Sequence, residues 1–288
     1  MTDDRDFSRQ SFLGKHAEDL LADIRVAIVG LGGGGSHIAQ QLAHVGVGHF
    51  RLLDPDRLEA SNLNRLVGAT KSDADRATPK VDIAERTIKG IRPWADVKKK
   101  QARWQEADAL IRDTNVLFGC VDGYQQRDYL ETAAKRFAIP YIDIGMDVAE
   151  VGNGSFAVSG QMIMTLPGGP CMRCLGFLTP DNLAREENDY GDAGINPQVV
   201  WTNGTLASLA VGAFMQLVTP WWETGVPYLW LELDGNRQTV TPSRQPEYFP
   251  RQVVCPHHGG MDGLGDPFFD IRAFAERCSR FRMTNAIS

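Results

Sequence analysis

The chain has 288 residues, of which 43% are hydrophobic and 23% are charged, and its formal net charge is −6. This composition is typical of a globular protein and leaves room for one large α/β core or two small domains. The acidic balance gives no indication of a nucleic-acid partner, and no apolar run reaches the ~20 residues that a membrane-spanning helix needs.

The first half of the chain predicts alternating helices and strands. The segment 7–22 has the pattern of a capped amphipathic helix, and Arg25–Gly30 is an apolar run that ends in glycine, as a buried parallel strand entering a tight turn does. A helix from Ser36 to about Val45 and a strand at His49–Asp54 follow. Together they predict a βαβ unit.

Further strands are predicted at Asn115–Cys120 and Pro140–Gly145, with a helix around Gln125–Phe137 between them. Phe156–Leu166 alternates apolar with small or polar residues, which is typical of an antiparallel strand. These runs predict that the sheet is mixed in direction.

The last elements are an acidic loop at 175–198, a helix near Thr205–Leu217 and a hairpin. The hairpin is predicted from Trp230–Asp234 and Gln238–Thr241, which are joined through Gly235-Asn236. No repeat or low-complexity linker interrupts the chain, so one domain with a C-terminal extension is the simplest division.

A glycine-rich turn, Gly30-Leu31-Gly32-Gly33-Gly34-Gly35-Ser36, joins the first predicted strand to its helix. Glycines let the backbone turn tightly and approach an anion, and a helix N-terminus supplies free N–H donors. Asp54 ends the next strand, where a carboxylate can accept hydrogen bonds from ribose. This pattern alone fits NAD enzymes as well as ATP enzymes, and a turn without any ligand is the alternative.

Charged residues downstream favour a triphosphate. Asp54-x-Asp56 is followed by Ser61-Asn-Leu-Asn-Arg65, by Lys80, and by Asp122 with Arg127. Cations can offset the charge of the α-phosphate and of the leaving pyrophosphate, and a carboxylate at a strand end can hold Mg²⁺. Each residue alone could be an ordinary surface charge. Their joint occurrence favours cleavage of a triphosphate over hydride transfer.

Two short cysteine and histidine motifs predict a structural zinc site. Cys171-Met-Arg-Cys174 is a C-x₂-C pair, and Cys255 with His258 repeats that spacing near the end of the chain. Three cysteines and one histidine are an accepted tetrahedral zinc set, and His257 is the alternative fourth ligand. A redox pair is the other interpretation of a C-x₂-C motif, but no thioredoxin-like unit accompanies it here.

With these motifs the sequence resembles the ThiF/MoeB/HesA family, the bacterial relatives of ubiquitin-activating enzymes. The resemblance covers roughly residues 5–260 and includes Arg5-Asp-Phe-Ser-Arg9-Gln10 at the start. It implies a Rossmann-like, mixed and mostly parallel eight-stranded sheet flanked by helices. It also implies an adenylation domain over 1–260, with a crossover loop at about 175–198 and the zinc site, and a helical extension at 261–288.

The resemblance also implies ATP, Mg²⁺ and Zn²⁺ as cofactors, and a role for each matching residue. Asp54 would hold the ribose and Asp122 would bind Mg²⁺. Arg9 would reach the γ-phosphate in the other subunit's site, which implies a homodimer. Catalysis would rest on Arg9, Arg65, Lys80 and Asp122. The other implied nucleotide contacts are Gly30, Gly32, Gly33, Gly35, Asp56, Asn62, Arg65 and Lys80.

The implied reaction is adenylation of the C-terminal carboxylate of a ubiquitin-like β-grasp protein that ends in glycine, with release of pyrophosphate. Many family members carry a cysteine in the crossover loop, where this chain has Tyr190. Transfer to a cysteine of a separate protein, of conjugating-enzyme or sulfur-donor type, is therefore favoured over transfer to Cys278. The alternatives are adenylation of a peptide or of a modified tRNA nucleoside, an NAD-dependent oxidoreductase, and an inactive subunit of an activating enzyme.

An odd count of five cysteines, together with a polar N-terminus unlike a signal peptide, indicates reduced thiols or metal ligands. Because thiols stay reduced in the cytoplasm, the expected location is cytoplasmic.

Overall fold

A computed structural model of the chain describes residues 8–189, 197–222, 229–244 and 255–258, together with positions 265, 270, 273 and 276. The strands are β1 Arg25–Val29, β2 His49–Leu53, β3 Asp96–Lys100, β4 Val116–Gly119, β5 Tyr141–Gly152, β6 Ser155–Thr165, β7 Trp230–Asp234 and β8 Thr239–Pro242. The helices are α1 Ala17–Asp23, α2 Gly33–Val45, α3 Lys71–Asp75, α4 Lys80–Ile91, α5 Asp108–Arg112, α6 Tyr124–Arg136, α7 Pro180–Asp189 and α8 Val200–Val218.

The eight strands form one sheet in the order β3-β2-β1-β4-β5-β6-β7-β8. The five strands from β3 to β5 pair in parallel, and β6, β7 and β8 continue the sheet as antiparallel neighbours. The predicted mixed, mostly parallel sheet is therefore confirmed. Strand order reverses between β1 and β4, and such a switch point opens a crevice at the carboxyl ends of the strands.

Helices cover both faces of the sheet, because successive side chains of a buried strand point to opposite sides. Val26 and Ile28 of β1 pack in the core that contains α2, α4 and α8. Ala27 and Val29 of the same strand pack in the opposite core with α5 and α6. The apolar run of β1 is thus buried on both faces, as its sequence predicts.

The segments predicted at 7–22 and 175–198 differ in structure from those observed, while β5 and α8 are longer than predicted. The helix expected at 7–22 is split into a 3₁₀ turn at Ser8–Leu13 and α1, because Gly14 adopts a φ of +114° between them. The acidic loop expected at 175–198 contains α7. Thr179 precedes this helix, and its Oγ1 accepts a hydrogen bond from Asn182 N at 3.2 Å. A capping residue before Pro180 was the available helix-start signal.

Four further elements, namely β3, α3, α4 and α5, escaped the sequence patterns. β3 is an edge strand that reads Asp-Val-Lys-Lys-Lys and has no buried residue, so it lacks the apolar run of an internal strand. Helix α4, which begins at Lys80, was likewise not predicted. By contrast, β7 and β8 form the predicted hairpin.

Among the described residues, none of the helices combines the length and apolar character that crossing a bilayer requires. The predicted extension at 261–288 lies outside the described residues, apart from four single positions.

Candidate active site

The glycine turn follows β1 directly and forms the floor of the site. Gly30 has a φ of +88°, and a Cβ on it would lie 2.3 Å from the Cys120 carbonyl oxygen, so only glycine fits. Helix α2 begins at Gly33, and its N-cap, Gly32, offers no side-chain hydrogen bond. Because glycine has no side chain, Gly32 cannot cap the first N–H groups of α2. A helix start of this kind can bind an anion.

Gly35 differs in role from the glycines before it. A Cβ on Gly35 would lie 1.9 Å from the Gly30 carbonyl oxygen, and the residue does not line the cavity described below. The structure therefore places the predicted phosphate contact at Gly35 behind the turn, where it lets α2 pack closely against β1. Gly34, which the sequence did not single out, lines the cavity instead.

A cavity of about 440 Å³ opens above the glycine turn at the carboxyl ends of the parallel strands. This is the crevice that the switch point between β1 and β4 creates. Nine of the predicted site residues line it: Gly30, Gly32, Gly33, Asp54, Asp56, Asn62, Arg65, Lys80 and Asp122.

Asp54 at the end of β2 ties two loops to the cavity wall. Its Oδ2 accepts a hydrogen bond from Leu31 N at 2.6 Å, and its Oδ1 accepts one from Asp56 N at 2.8 Å. Burial raises the pKa of this carboxyl group, although Lys80 opposes the shift. Each oxygen has a second lone pair, so the carboxylate can also accept from a ligand hydroxyl.

Two cations line the cavity from separate elements. Lys80 lies at the first position of α4, and its Nζ is 2.7 Å from Asp56 Oδ2, which keeps the ammonium at the cavity wall. Arg65 donates to the Ser61 carbonyl at 2.8 Å and to Asn64 Oδ1 at 3.0 Å. Both cations can therefore face an anionic ligand without moving far.

Asn62 is held by its own turn. Its Oδ1 accepts a hydrogen bond from Glu59 N at 3.3 Å, as half of a capping box around a 3₁₀ turn at Ala60–Asn62. Its amide therefore shapes the loop that carries Arg65.

Asp122 lies in the connection between β4 and α6, and Arg127 lies in the first turn of α6. Asp122 is exposed, and its Oδ1 lies 3.5 Å from Gln198 Nε2. Arg127 is buried, forms an ion pair with Asp143 and donates to the Ile144 carbonyl at 3.2 Å. Burial raises the pKa of Asp143 to about 6, although Arg127 opposes the shift. Arg127 is therefore an anchor of the cavity wall, while Asp122 is open to a ligand.

One wall of the cavity was not predicted from the sequence. Trp104 Nε1 and Gln105 Nε2 both donate to Gln126 Oε1, at 3.1 and 2.9 Å. These residues follow β3, so recognising that edge strand would have placed them at the carboxyl edge of the sheet. Among the side chains with nitrogen donors that line the cavity, the sequence missed Arg103, Trp104, Gln105, Gln126, Gln198 and Asn203.

Besides Gly35, three predicted residues lie away from this cavity or outside the described residues. Arg9 is exposed on the 3₁₀ turn at Ser8–Leu13 and does not line the cavity of its own chain. Its predicted contact with a second protomer therefore stays a prediction. Tyr190 and Cys278 lie outside the described residues.

The cysteine motifs meet at a second site. Cys174 Sγ lies 3.6 Å from both Cys171 Sγ and Cys255 Sγ, and His257 Nδ1 lies 3.4 and 3.3 Å from Cys171 and Cys174. Metal bonds of ~2.3 Å to sulfur and ~2.0 Å to nitrogen, in a tetrahedron, separate the donor atoms by roughly 3.5 to 3.8 Å. This donor set could therefore hold a metal ion such as zinc.

The histidine in this cluster is His257, whereas the x₂ spacing favoured His258. His257 lies with all three cysteines, whereas His258 is grouped with Cys171 and Glu131, and its Nε2 lies 3.7 Å from Glu131 Oε2. The spacing of a C-x₂-C pair does not identify the histidine of a Cys-x-His pair. An imidazole is longer than a thiol, so it reaches the cluster from a different backbone position.

Helix α6 supports the cysteine and histidine cluster through buried charges. Both Glu131 carboxylate oxygens accept from Met172 N, at 2.9 and 3.1 Å. Lys135 Nζ donates to the carbonyls of Gly169 and Pro170, at 3.0 and 3.3 Å. Burial lowers the pKa of Lys135, while Glu131 opposes this shift. One helix thus holds the cysteine loop and, through Arg127, the cavity wall.

A Rossmann-like sheet with a glycine-rich turn at its switch point is a nucleotide-binding type of α/β fold. Residues 5–255 match the model of the ThiF family, and the chain belongs to this family. The predicted ThiF/MoeB/HesA membership is thereby confirmed.

Several curated relatives are named as adenylyltransferases. The sulfur carrier protein ThiS adenylyltransferase of Escherichia coli is 34% identical over 229 residues, which cover 75% of this chain and 85% of that protein. The molybdopterin-synthase adenylyltransferase of Escherichia coli is 33% identical over 67% of this chain and 73% of that protein. The SAMP-activating enzyme E1 of Haloferax volcanii is 30% identical, and the match covers 57% of each chain. The predicted enzyme class, adenylyltransferase, agrees with these relatives.

Solved structures agree on the fold. The Escherichia coli MccB structure with ATP superposes with a TM-score of 0.67 at 17% identity, over 83% of this chain and 68% of that chain. A PaaA structure superposes with a TM-score of 0.62 at 21% identity, over 79% of this chain and 74% of that chain. At these identities the likeness concerns the fold alone.

Proposed function

We propose that this chain uses ATP and Mg²⁺ to adenylate the C-terminal carboxylate of a ubiquitin-like β-grasp protein that ends in glycine. A carboxylate oxygen attacks the α-phosphorus, and the bond from this phosphorus to the oxygen bridging to the β-phosphate breaks. Pyrophosphate leaves with that electron pair, so the products are an acyl-adenylate and pyrophosphate. The observation that carries the proposal is the convergence of the glycine turn, Arg65, Lys80 and Asp122 on one cavity.

Each group answers a need of this reaction. The N–H groups at the start of α2 face the phosphates, and Arg65 with Lys80 offsets the negative charge that develops on the leaving pyrophosphate. Asp122 is an exposed carboxylate at a strand end, which suits a magnesium ligand. A bound Mg²⁺ would neutralise phosphate charge and orient the triphosphate. Asp54 would accept from the ribose hydroxyls.

The choice of a small carrier protein follows the names of the relatives. One acts on the sulfur carrier protein ThiS, and another is an activating enzyme for SAMP. A chain related to both is expected to recognise a folded partner with a free C-terminal tail.

The step after adenylation is proposed to use a cysteine of a separate protein. Cys171, Cys174 and Cys255 are committed to the metal cluster. Cys120 lies in the cavity wall, and burial raises the pKa of its thiol, so little reactive thiolate forms near neutral pH. Among the described residues no cysteine is therefore suited to accept the acyl group.

We also propose that the metal cluster holds structural zinc through Cys171, Cys174, Cys255 and His257. Four ligands leave no open position for chemistry, so the ion would clamp the segment at 255–258 onto α6 and the cysteine loop. We further propose that the chain forms a homodimer in which Arg9 enters the partner's cavity. The proposed location is the cytoplasm.

The direct test is exchange of labelled pyrophosphate into ATP by the purified chain. Exchange is expected only with Mg²⁺ and a β-grasp protein that has a free C-terminal glycine carboxylate. The same protein with an amidated C-terminus is the control, because it has no nucleophilic carboxylate. If exchange requires a short peptide instead, the acyl substrate is a peptide and not a β-grasp protein. Exchange with the amidated protein would contradict the proposed reaction.

A further inference from the structure

Helices α2 and α8 run side by side in the same direction, and their first turns meet at the cavity. A Cβ on Gly204 would lie 3.2 Å from the His37 ring. Further along the pair, Gln41 Nε2 donates to Ser208 Oγ at 3.1 Å. The residue of α8 that faces the very start of α2 is Asn203.

Asn203 packs directly on the glycine turn. Its side chain is 5% exposed and lines the cavity. A Cβ on Gly33 would lie 2.4 Å from Asn203 Nδ2 and 2.8 Å from its Cγ. The amide therefore occupies the space that a side chain at position 33 would need, and it fixes how closely α8 approaches the first helical residue of α2.

The same amide binds the segment that leads into α8. Asn203 Nδ2 donates to the Val199 carbonyl at 3.0 Å. The neighbouring Gln198 lines the cavity, and its carbonyl accepts from Asn64 Nδ2 at 3.3 Å. The lead-in at 197–199 is thus fastened to the glycine turn through Asn203 and to the Arg65 loop through Asn64.

We propose that Asn203 is a positioning residue that holds the start of α2 and the α8 lead-in at 197–199 in register, so that the glycine turn is set for binding of the nucleotide phosphates. The inference rests on the proposed function. It assigns to one buried amide a role that the glycines cannot fill, because they have no side chain that reaches α8. When Asn203 is shortened, the start of α2 and the lead-in at 197–199 can shift independently.

The first experiment measures binding of a non-hydrolysable ATP analogue with Mg²⁺ by calorimetry, which requires no acyl partner. Asn203→Ala and the neutral, similarly sized Asn203→Leu, which cannot donate to Val199, are each expected to weaken binding about tenfold. Ser208→Ala removes a hydrogen bond between the same two helices away from the cavity, and it is expected to bind like the unmodified chain. If Asn203→Ala does not fold, Asn203→Leu carries the test, because it nearly keeps the volume of the side chain and adds no charge beside the phosphates.

A double substitution separates this contact from general damage. Gly33→Ala alone places a methyl group against the Asn203 amide and is expected to weaken binding by roughly 100-fold. In Gly33→Ala combined with Asn203→Ala the space is free, so binding is expected to be no weaker than in Gly33→Ala alone. Losses that multiply instead would mean that the two residues act independently, and the inference would be wrong.

The binding data separate this inference from the proposed function. Binding of the ATP analogue that is unchanged in both Asn203 variants would overturn the inference while leaving the proposed function intact. Failure of the unmodified chain to bind ATP at all would overturn both.

Discussion

At the scale of single residues, the cavity combines cations that are already held in place with a carboxylate that is open. Lys80 is fixed by Asp56 at 2.7 Å, and Arg65 is fixed by two oxygens of its own loop. Asp122 is exposed, and its Oδ1 lies 3.5 Å from Gln198 Nε2. Cations oriented before the substrate arrives lose little freedom on binding, which favours charge stabilisation in the transition state.

Lys80→Ala is expected to lower kcat of pyrophosphate exchange by roughly 100-fold, since one pre-oriented cation is lost from the leaving group. The rate should be measured at saturating ATP, with circular dichroism to verify folding. Lys71→Ala is the matched control, because Lys71 is 75% exposed, pairs with Asp75 and does not line the cavity. An equal loss in both variants would contradict a specific role for Lys80.

The proposed zinc site can be tested by comparing two adjacent histidines, His257 and His258. His257→Ala is expected to reduce bound zinc, measured by mass spectrometry of the purified protein, because it removes one of four donor atoms. His258→Ala should retain the metal, since this ring faces Glu131. Loss of zinc in His258→Ala alone would instead support the ligand that the spacing favoured.

At the scale of elements, helix α3 shows how a local sequence signal is reinforced by a distant contact. Thr70 and Asp73 form a capping box at its start, which is a signature readable from sequence. The Asp73 side chain is fully buried and also accepts hydrogen bonds from Arg86 of α4, at 2.8 and 2.7 Å. The cap therefore joins the loop after Arg65 to the helix that begins with Lys80.

Hydrogen bonds from Arg86 hold the pKa of Asp73 well below its ordinary value. A lowered pKa in the folded state stabilises the protein above the pKa of the unfolded chain, and this contribution is lost as pH falls below about 4. Asp73→Asn is thus expected to reduce the free energy of unfolding by about 2 kcal/mol at pH 7.

Urea denaturation at pH 7 and pH 3 measures this effect, and the difference between Asp73→Asn and the unmodified chain should shrink at pH 3. Asp75→Asn is the control at the exposed end of the same helix and should change stability by less than about 0.5 kcal/mol. A difference that persists at pH 3 would argue against an ionic contribution.

At the scale of the whole molecule, the site of one chain is proposed to be completed by another. Arg9 lies on an exposed turn and does not line its own cavity. Exposed Phe12 of the same turn packs edge to face on exposed Trp221, with ring centroids 5.9 Å apart. A symmetric dimer would present this N-terminal turn twice, so that each cavity receives an arginine from its partner.

Mixing of two inactive variants tests this arrangement. Arg9→Ala and Lys80→Ala, unfolded and refolded together, should regain about a quarter of the unmodified activity, because half of the dimers are mixed and each has one intact site. Pyrophosphate exchange gives the readout, and each variant refolded alone is the control. Absence of recovery in verified mixed dimers would place Arg9 in the cavity of its own chain or outside catalysis.

The sequence by itself determined the parts of this protein that depend on local chemistry. The apolar run of β1, the glycines after it and the carboxylate at the end of β2 define a nucleotide-binding βαβ unit wherever they occur, because strand burial, backbone freedom and helix dipoles act within a few residues. Lys80 and Asp122 were found for the same reason, since each follows a recognisable motif.

Only the tertiary structure decided which distant groups meet. The edge strand β3 and the Trp104 wall have no apolar signature, and the choice of His257 depends on the direction of a short turn. Gly35 has the sequence context of a phosphate contact but packs behind the turn, and Gly33 faces Asn203 from 170 positions along the chain. Such contacts depend on how helices pack across a sheet, which no local pattern encodes.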